Sequence, residues 1–155
     1  MSNERDSMRR PIYRLVEQET FNDNVSFWKR LGKSSLYDPS AYHKKNPELW
    51  GLPRVNPPRP YGTYCDILTC IRKYGDASKE LINMINELMQ ETFTRGTFSS
   101  SIEKGWPTCL WAVTEDQEIV EAHRGTRGSG KYHGYPYRGP AKFAEEIVKR
   151  WSENE

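Results

Sequence analysis

The chain has 155 residues, of which 35% are hydrophobic and 28% are charged, and its formal net charge is +2. The length suits one domain, and the near-neutral total excludes the high net charge that accompanies disorder. Five Trp, nine Tyr and five Phe supply the area for a small, aromatic-rich core. We expect one folded domain over residues 1–155, with a flexible tail at residues 1–9.

The three cysteines, Cys65, Cys70 and Cys109, include no CxxC pair, and an odd number does not suggest a disulfide framework. The polar N-terminus has no apolar run typical of a signal peptide. No stretch reaches the roughly 18 apolar residues of a membrane span. These features predict a cytoplasmic protein with reduced thiols and no membrane partner.

The N-terminal part predicts an edge strand at residues 12–16 and then a helix at residues 20–31. The apolar residues of this helix recur at helical spacing, and Gly32 stands where it is expected to end. The predicted buried face of the helix consists of Phe21, Val25, Trp28 and Leu31.

Residues 33–60 contain six prolines, which remove backbone donors and disfavour helix, and so predict an irregular arm. The arm either binds a partner or packs as an extended connection. Within it, residues 54–60 match the polyproline pattern R-x-x-P-x-x-P, which arises often by chance, and a fixed connection is the favoured interpretation.

Two helices are predicted next, capped by Thr63 and Asp76 and separated at Gly75, which makes either a tight αα-hairpin or a sharply kinked pair. The second helix carries a broad apolar face. That face consists of Leu81, Ile82, Ile85, Leu88 and Met89.

Beyond Gly105 the period changes to that of strands. Residues 109–113 and 117–123 predict a hairpin, residues 131–137 a third strand, and Pro140 the start of a closing helix with Phe143, Ile147 and Trp151 in one stripe. The fold class is therefore α+β: N-terminal helices including an αα-hairpin, a small antiparallel β-meander, and a C-terminal helix.

Charge alternates along the chain. Residues 29–73 hold nine Lys/Arg against three Asp/Glu, residues 74–121 hold three against nine, and residues 122–150 hold seven against two. If the two basic segments fold onto one side, RNA, single-stranded nucleic acid or an acidic protein is a plausible partner. If they interleave with the acidic segment, the charges neutralise one another.

The stretch 123–138 combines basic, aromatic and glycine residues, a composition suited to a phosphodiester ligand. The predicted nucleic-acid-binding residues are Arg124, Arg127, Lys131, Tyr132, Tyr135 and Arg138. Residues 125–131 also fit the spacing G-x-x-x-x-G-K, but Tyr132 replaces the Ser or Thr that would bind magnesium, which excludes a nucleoside-triphosphate loop.

Metal-free RNA cleavage needs a general base, a general acid and cations for the phosphorane. Alternation along the second strand of the hairpin places Glu121 and His123 on one face, and His133 comes from the neighbouring strand. These three are the predicted catalytic residues. In general plan the arrangement resembles small microbial ribonucleases and sheet-based toxin nucleases, although no motif identifies either family.

Two functions remain open on the sequence. One is a protein that acts on nucleic acid, either binding RNA or also cleaving it, without cofactor or metal, since the His and Cys spacings predict no metal site. In the other, Glu121 and His123 simply solvate an outer sheet face, and the chain is a non-enzymatic interaction module of immunity or adaptor type. Such a module would bind a protein partner through the Pro-rich arm or the acidic helix pair.

Overall fold

A computed structural model describes residues 13–37, 78–124 and 130–154. The helices are α1 (Gln18–Asp23), α2 (Val25–Lys33), α3 (Ser78–Arg95) and α4 (Ala141–Glu153). The strands are β1 (Leu36–Tyr37), β2 (Ile102–Glu103), β3 (Trp106–Pro107), β4 (Cys109–Val113), β5 (Ile119–Arg124) and β6 (Lys131–Pro136). Helices in the N-terminal part, an antiparallel-rich sheet and a closing helix confirm the α+β class.

The predicted helix over residues 20–31 is wrong in one respect, because Asn24 interrupts it. The backbone of Asn24 leaves the helical region at φ −137° and ψ 34°, ending α1 and starting α2. Asn is prone to such non-helical conformations because its side chain competes for backbone hydrogen bonds. Phe21 and Trp28 are buried as predicted, whereas Val25 is 41% exposed.

Gly32 lies inside α2 rather than beyond its end, which corrects the prediction that it terminates the helix. A Cβ built at Gly32 would lie 2.7 Å from the Cβ of Phe93 on α3. The absence of a side chain therefore lets α2 and α3 pack closely.

The segment predicted as an edge strand forms a single β-bridge between Leu15 and Ser99, flanked by a backbone bond from Val16 N–H to the Phe98 carbonyl (2.9 Å). Residue 12 and the tail at residues 1–9 lie outside the described residues.

The prediction that residues 33–60 are irregular is wrong at their start, where Lys33 ends α2 and Leu36–Tyr37 form β1. Strand β1 pairs in parallel with β6, with Leu36 opposite Lys131 and Tyr37 opposite Tyr132. The rest of the arm, the first helix of the predicted αα-hairpin and Gly75 lie outside the described residues.

The main sheet has the strand order β1–β6–β5–β4. Strands β4, β5 and β6 form the predicted antiparallel meander, and parallel β1 makes the sheet mixed. Strands β2 and β3 form a separate antiparallel pair, joined through Lys104 and Gly105, both at positive φ.

Both faces of the sheet are covered by apolar residues. On one face Val120, Ala122 and Leu110 pack with α1, α2 and α3, and on the other Trp111 and Val113 pack with α4. Because successive strand residues point to opposite faces, Val120 and Ala122 are separated from Glu121 as predicted. Within the ranges given above, no helix has the length and apolar character needed to cross a bilayer.

Candidate functional site

The candidate site lies on the α4 face of the sheet, and strand register assembles it. Cys109 on β4 pairs with His123 on β5, which pairs on its other side with His133 on β6. In the adjacent row of the same face, Trp111 pairs with Glu121. Directly opposed residues of an antiparallel pair have Cβ atoms about 4.5–5.5 Å apart, so the sheet holds these groups side by side.

Helix α4 packs mainly against β4. Its residues Phe143 and Ile147 cover the Trp111 side of the face. His123 and His133, on the next two strands, are only partly buried. The face is therefore buried at β4, whereas the imidazoles of His123 and His133 at β5 and β6 are partly exposed, with Nδ1 of His133 itself buried.

Glu121 is buried, 6% exposed, and both of its oxygens are engaged. The indole Nε1–H of Trp111 donates to Oε1 at 2.8 Å, and Nε2 of His123 lies 2.8 Å from Oε2. Since an ionised carboxylate only accepts, His123 donates through Nε2–H in this contact. Glu121 thus fixes the orientation and proton position of the imidazole, which corrects the interpretation that Glu121 merely solvates an outer face.

Cys109 also belongs to the site, although its position in the sequence did not predict this. The residue is 1% exposed. One sulfur, one oxygen and one nitrogen atom, from Cys109, Glu121 and His123 respectively, lie within 4.8 Å of one another. Burial raises the pKa of Cys109 well above its ordinary value, and the nearby Glu121 carboxylate raises it further. The thiol is therefore protonated and is not an activated nucleophile.

Tyr13 and Tyr137 also border the site and were not predicted. Their rings meet edge to face at 6.0 Å, and the Tyr137 hydroxyl donates to the Pro140 carbonyl at 2.7 Å. Burial raises the pKa of each tyrosine, and the charge of Glu121 adds to both shifts. Tyr137 lies within the stretch 123–138 singled out above, although it was not named as a site residue, whereas Tyr13 is distant along the chain and no local pattern links it to the site.

Two predicted nucleic-acid-binding residues lie elsewhere. Arg124 alternates onto the opposite face of β5 from Glu121 and His123, and forms an ion pair with Glu103 on β2. Tyr132 is fully buried on that opposite face, where its hydroxyl donates to the Pro107 carbonyl at 2.7 Å. Its ring belongs to the core and offers no surface to a stacked base, which corrects its predicted role.

The remaining basic candidates are placed differently. Lys131 is exposed, and alternation along β6 puts it on the same face as His133. Arg138 is exposed just after β6. Tyr135 is the backbone partner of Glu121, and Arg127 lies outside the described residues, in the connection between β5 and β6.

The geometry brings together the three predicted catalytic groups, Glu121, His123 and His133, on one face and one sheet region, with Cys109 added. A carboxylate that orients an imidazole next to a second imidazole can transfer protons. The same carboxylate, imidazole and thiol can also ligate a cation. Comparison of the chain with protein-family models, with curated proteins and with solved structures gave no significant match.

Proposed function

We propose that this protein binds RNA and cleaves it by metal-independent acid–base chemistry at His123, Glu121 and His133. The observation that carries the proposal is the 2.8 Å contact between His123 and Glu121, next to His133 on the paired strand. It is the arrangement of an oriented base beside a second proton-transfer group.

In this reaction His123 is the base. With Nε2–H donated to Glu121, the other ring nitrogen, Nδ1, carries the lone pair that takes the proton of the ribose 2′-hydroxyl. The buried Glu121 carboxylate then stabilises the imidazolium that forms. The 2′-oxygen attacks phosphorus, and the bond to the 5′-oxygen breaks.

His133 is the acid that protonates the departing 5′-oxygen. The products are a 2′,3′-cyclic phosphate and a free 5′-hydroxyl, and no water or redox partner is consumed. Base and acid sit on neighbouring strands, so a phosphodiester lying across β5 and β6 contacts both.

Positive charge for the phosphate comes from the β6 side of the site. Lys131 is exposed on the face of His133, and Arg138 is exposed just after β6. The His123–His133 pair is one register step from the Arg124–Tyr132 pair that closes the ladder at the β5–β6 connection. His133 and Lys131 therefore lie near the end of the described ladder, and phosphate contacts by such cations supply most of the affinity for nucleic acid.

The test offers mixed-sequence RNA to the purified protein in excess chelator and identifies the end groups of the fragments. His123→Gln and His133→Gln are each expected to lower turnover by about 10²–10⁴-fold, the usual contribution of a general acid or base. Both variants are expected to retain RNA binding. Glu121→Gln is expected to lower turnover less, because it orients the base without exchanging a proton with substrate.

Binding is tested separately with Lys131→Ala and a matched control, Lys142→Ala, which removes an exposed lysine of α4. Lys131→Ala is expected to weaken RNA binding and reduce its salt dependence, whereas Lys142→Ala leaves both unchanged. Intact RNA, or cleavage unaffected by both His variants, would refute the catalytic proposal. If the protein binds RNA without cleaving it, it is an RNA-binding protein and not a nuclease. If it neither binds nor cleaves RNA, the result favours the interaction module.

A further inference from the structure

Cys109, Glu121 and His123 present three different metal-ligand types in one place. Their sulfur, oxygen and nitrogen atoms lie within 4.8 Å of one another, Cys109 and Glu121 are buried, and His123 is partly open to solvent. The three residues come from two paired strands, so the sheet fixes their backbone positions.

We propose that these three residues form a zinc site, and that zinc bound there inhibits the RNA cleavage proposed above. The existence of the site is independent of that function, whereas the inhibition rests on it. Nothing in the spacing of the cysteines and histidines along the sequence predicts the site, because its ligands meet only through strand register.

Ligand chemistry selects the metal. Thiolate and imidazole suit Zn²⁺, whereas Mg²⁺ and Ca²⁺ take oxygen ligands. Zinc–ligand bonds of about 2.0–2.3 Å in a tetrahedral site place ligand atoms roughly 3.3–3.7 Å apart. The most distant ligand atoms of the three residues would therefore have to approach one another by about 1 Å at most. The Nε2 atom of His123 and the Oε2 atom of Glu121, now 2.8 Å apart, would separate slightly to admit the ion.

The proton movements that accompany zinc binding are balanced. Zinc binding releases the thiol proton of Cys109 to solvent, because only the thiolate ligates. The proton on Nε2 of His123 moves to Nδ1 through solvent, which leaves the Nε2 lone pair for the metal. A thiolate, a carboxylate and Zn²⁺ then sum to zero charge in a buried place, which avoids leaving an uncompensated charge in the protein interior.

Inhibition follows from the same geometry. The zinc-bound tautomer of His123 carries its proton on Nδ1, the nitrogen that acts as the base in the proposed cleavage. Because Glu121 then ligates the zinc ion, it no longer stabilises the imidazolium of His123. Zinc and the 2′-hydroxyl proton therefore compete for one imidazole.

The binding experiment titrates metal-free protein with Zn²⁺ in competition with a chromophoric chelator. One equivalent is expected to bind the wild type, and Co²⁺ is expected to show a thiolate-to-metal charge-transfer absorption. Cys109→Ala and His123→Gln are each expected to weaken Zn²⁺ binding by at least about 100-fold, since groups that only orient a ligand already contribute about 10- to 100-fold.

The matched control replaces the other two cysteines, Cys65→Ala and Cys70→Ala, singly and together, and is expected to retain the one zinc and the cobalt absorption. Zinc is also expected to raise the melting temperature of the wild type and not that of Cys109→Ala, because it binds the folded state. No zinc binding, or full binding and an unchanged cobalt spectrum in Cys109→Ala, would overturn the site.

The activity experiment measures RNA cleavage with and without one equivalent of Zn²⁺. Wild-type cleavage is expected to stop and to return with chelator, whereas Cys109→Ala continues to cleave in the presence of zinc. If zinc binds but leaves cleavage unchanged or accelerates it, the proposed inhibition is refuted, whereas the proposed zinc site is still supported. If RNA is never cleaved, the proposed function fails and the binding experiment alone decides the zinc site.

Discussion

Replacing Glu121 by alanine removes the acceptor that a buried indole needs. Trp111 is fully buried, and its Nε1–H donates to Glu121 at 2.8 Å, with the ring packed edge to face on Phe143 at 4.7 Å. In Glu121→Ala the indole N–H has lost this partner inside the core. In Glu121→Gln the side-chain carbonyl still accepts from Trp111, and the amide donates to His123 once that ring shifts its proton to Nδ1.

The two variants should differ clearly in stability. An orphaned buried donor costs about 1–3 kcal/mol, and losing one buried methylene costs about 0.8 kcal/mol, to which the cavity left by the side chain adds. Relief of carboxylate desolvation offsets part of this cost, so we expect Glu121→Ala to lose about 2–4 kcal/mol. At roughly 3 °C per kcal/mol for a chain of this size, its melting temperature falls by about 6–12 °C. Glu121→Gln exchanges charged for neutral hydrogen bonds and should lose about 1 kcal/mol.

Urea unfolding of the two variants, of Trp111→Phe and of Trp111→Phe/Glu121→Ala measures these differences. In the double variant no indole N–H is left without a partner, so its loss should be about 1–2 kcal/mol smaller than the sum of the single losses. A Glu121→Ala protein as stable as Glu121→Gln, or a strictly additive double variant, would refute this account of the buried pair.

Two further predictions concern the opposite face of the sheet. Gly32→Ala, which ordinarily stabilises a helix by about 1 kcal/mol, should instead destabilise this protein by about 1 kcal/mol. The new Cβ would meet the Cβ of Phe93 at 2.7 Å, and neither atom can rotate away; a raised melting temperature would contradict this. Burial raises the pKa of Tyr132 above its ordinary value of 10.0, so above pH 10 the unfolded chain releases a proton that the folded chain retains. Stability should then fall by up to about 1.4 kcal/mol per pH unit from this group. Tyr132→Phe should start about 1 kcal/mol lower because it loses the bond to Pro107. The stability of Tyr132→Phe, measured by urea unfolding, should also decline less steeply between pH 10 and 11 than that of the wild type. An equal decline in both proteins would exclude Tyr132 as the cause.

Local sequence patterns were sufficient to predict the helices and strands in which buried residues recur at regular spacing. The strand β4 was predicted at its observed bounds, and the bounds of β5 and β6 were predicted to within two residues. The predicted stripe of Phe143, Ile147 and Trp151 on α4 is buried. On α3, Ile85 and Met89 are buried as the helical spacing predicted. These predictions succeed because a period of 2 or 3.6 residues is a property of the chain itself.

Local patterns failed where a single residue or a short pairing decides the structure. The break at Asn24 divides a segment whose apolar spacing alone favours one helix, and Val25 is exposed as a result. The strand β1 is two residues long and exists through its parallel pairing with β6. Neither feature has a periodic pattern from which it could be predicted.

The site shows the same division between sequence and tertiary structure. Alternation along one strand was enough to put Glu121 and His123 on a common face, because side-chain direction in a strand depends only on position. Which face would be covered depended on α4 and the helices opposite, so Tyr132 proved to be core and Glu121 buried. The approach of Cys109 and Trp111 to Glu121 was decided by the register of β4 against β5. Register brings together residues about ten or more positions apart, and in this hairpin it depends on the type and length of the turn at residues 114–118 rather than on a pattern within either strand.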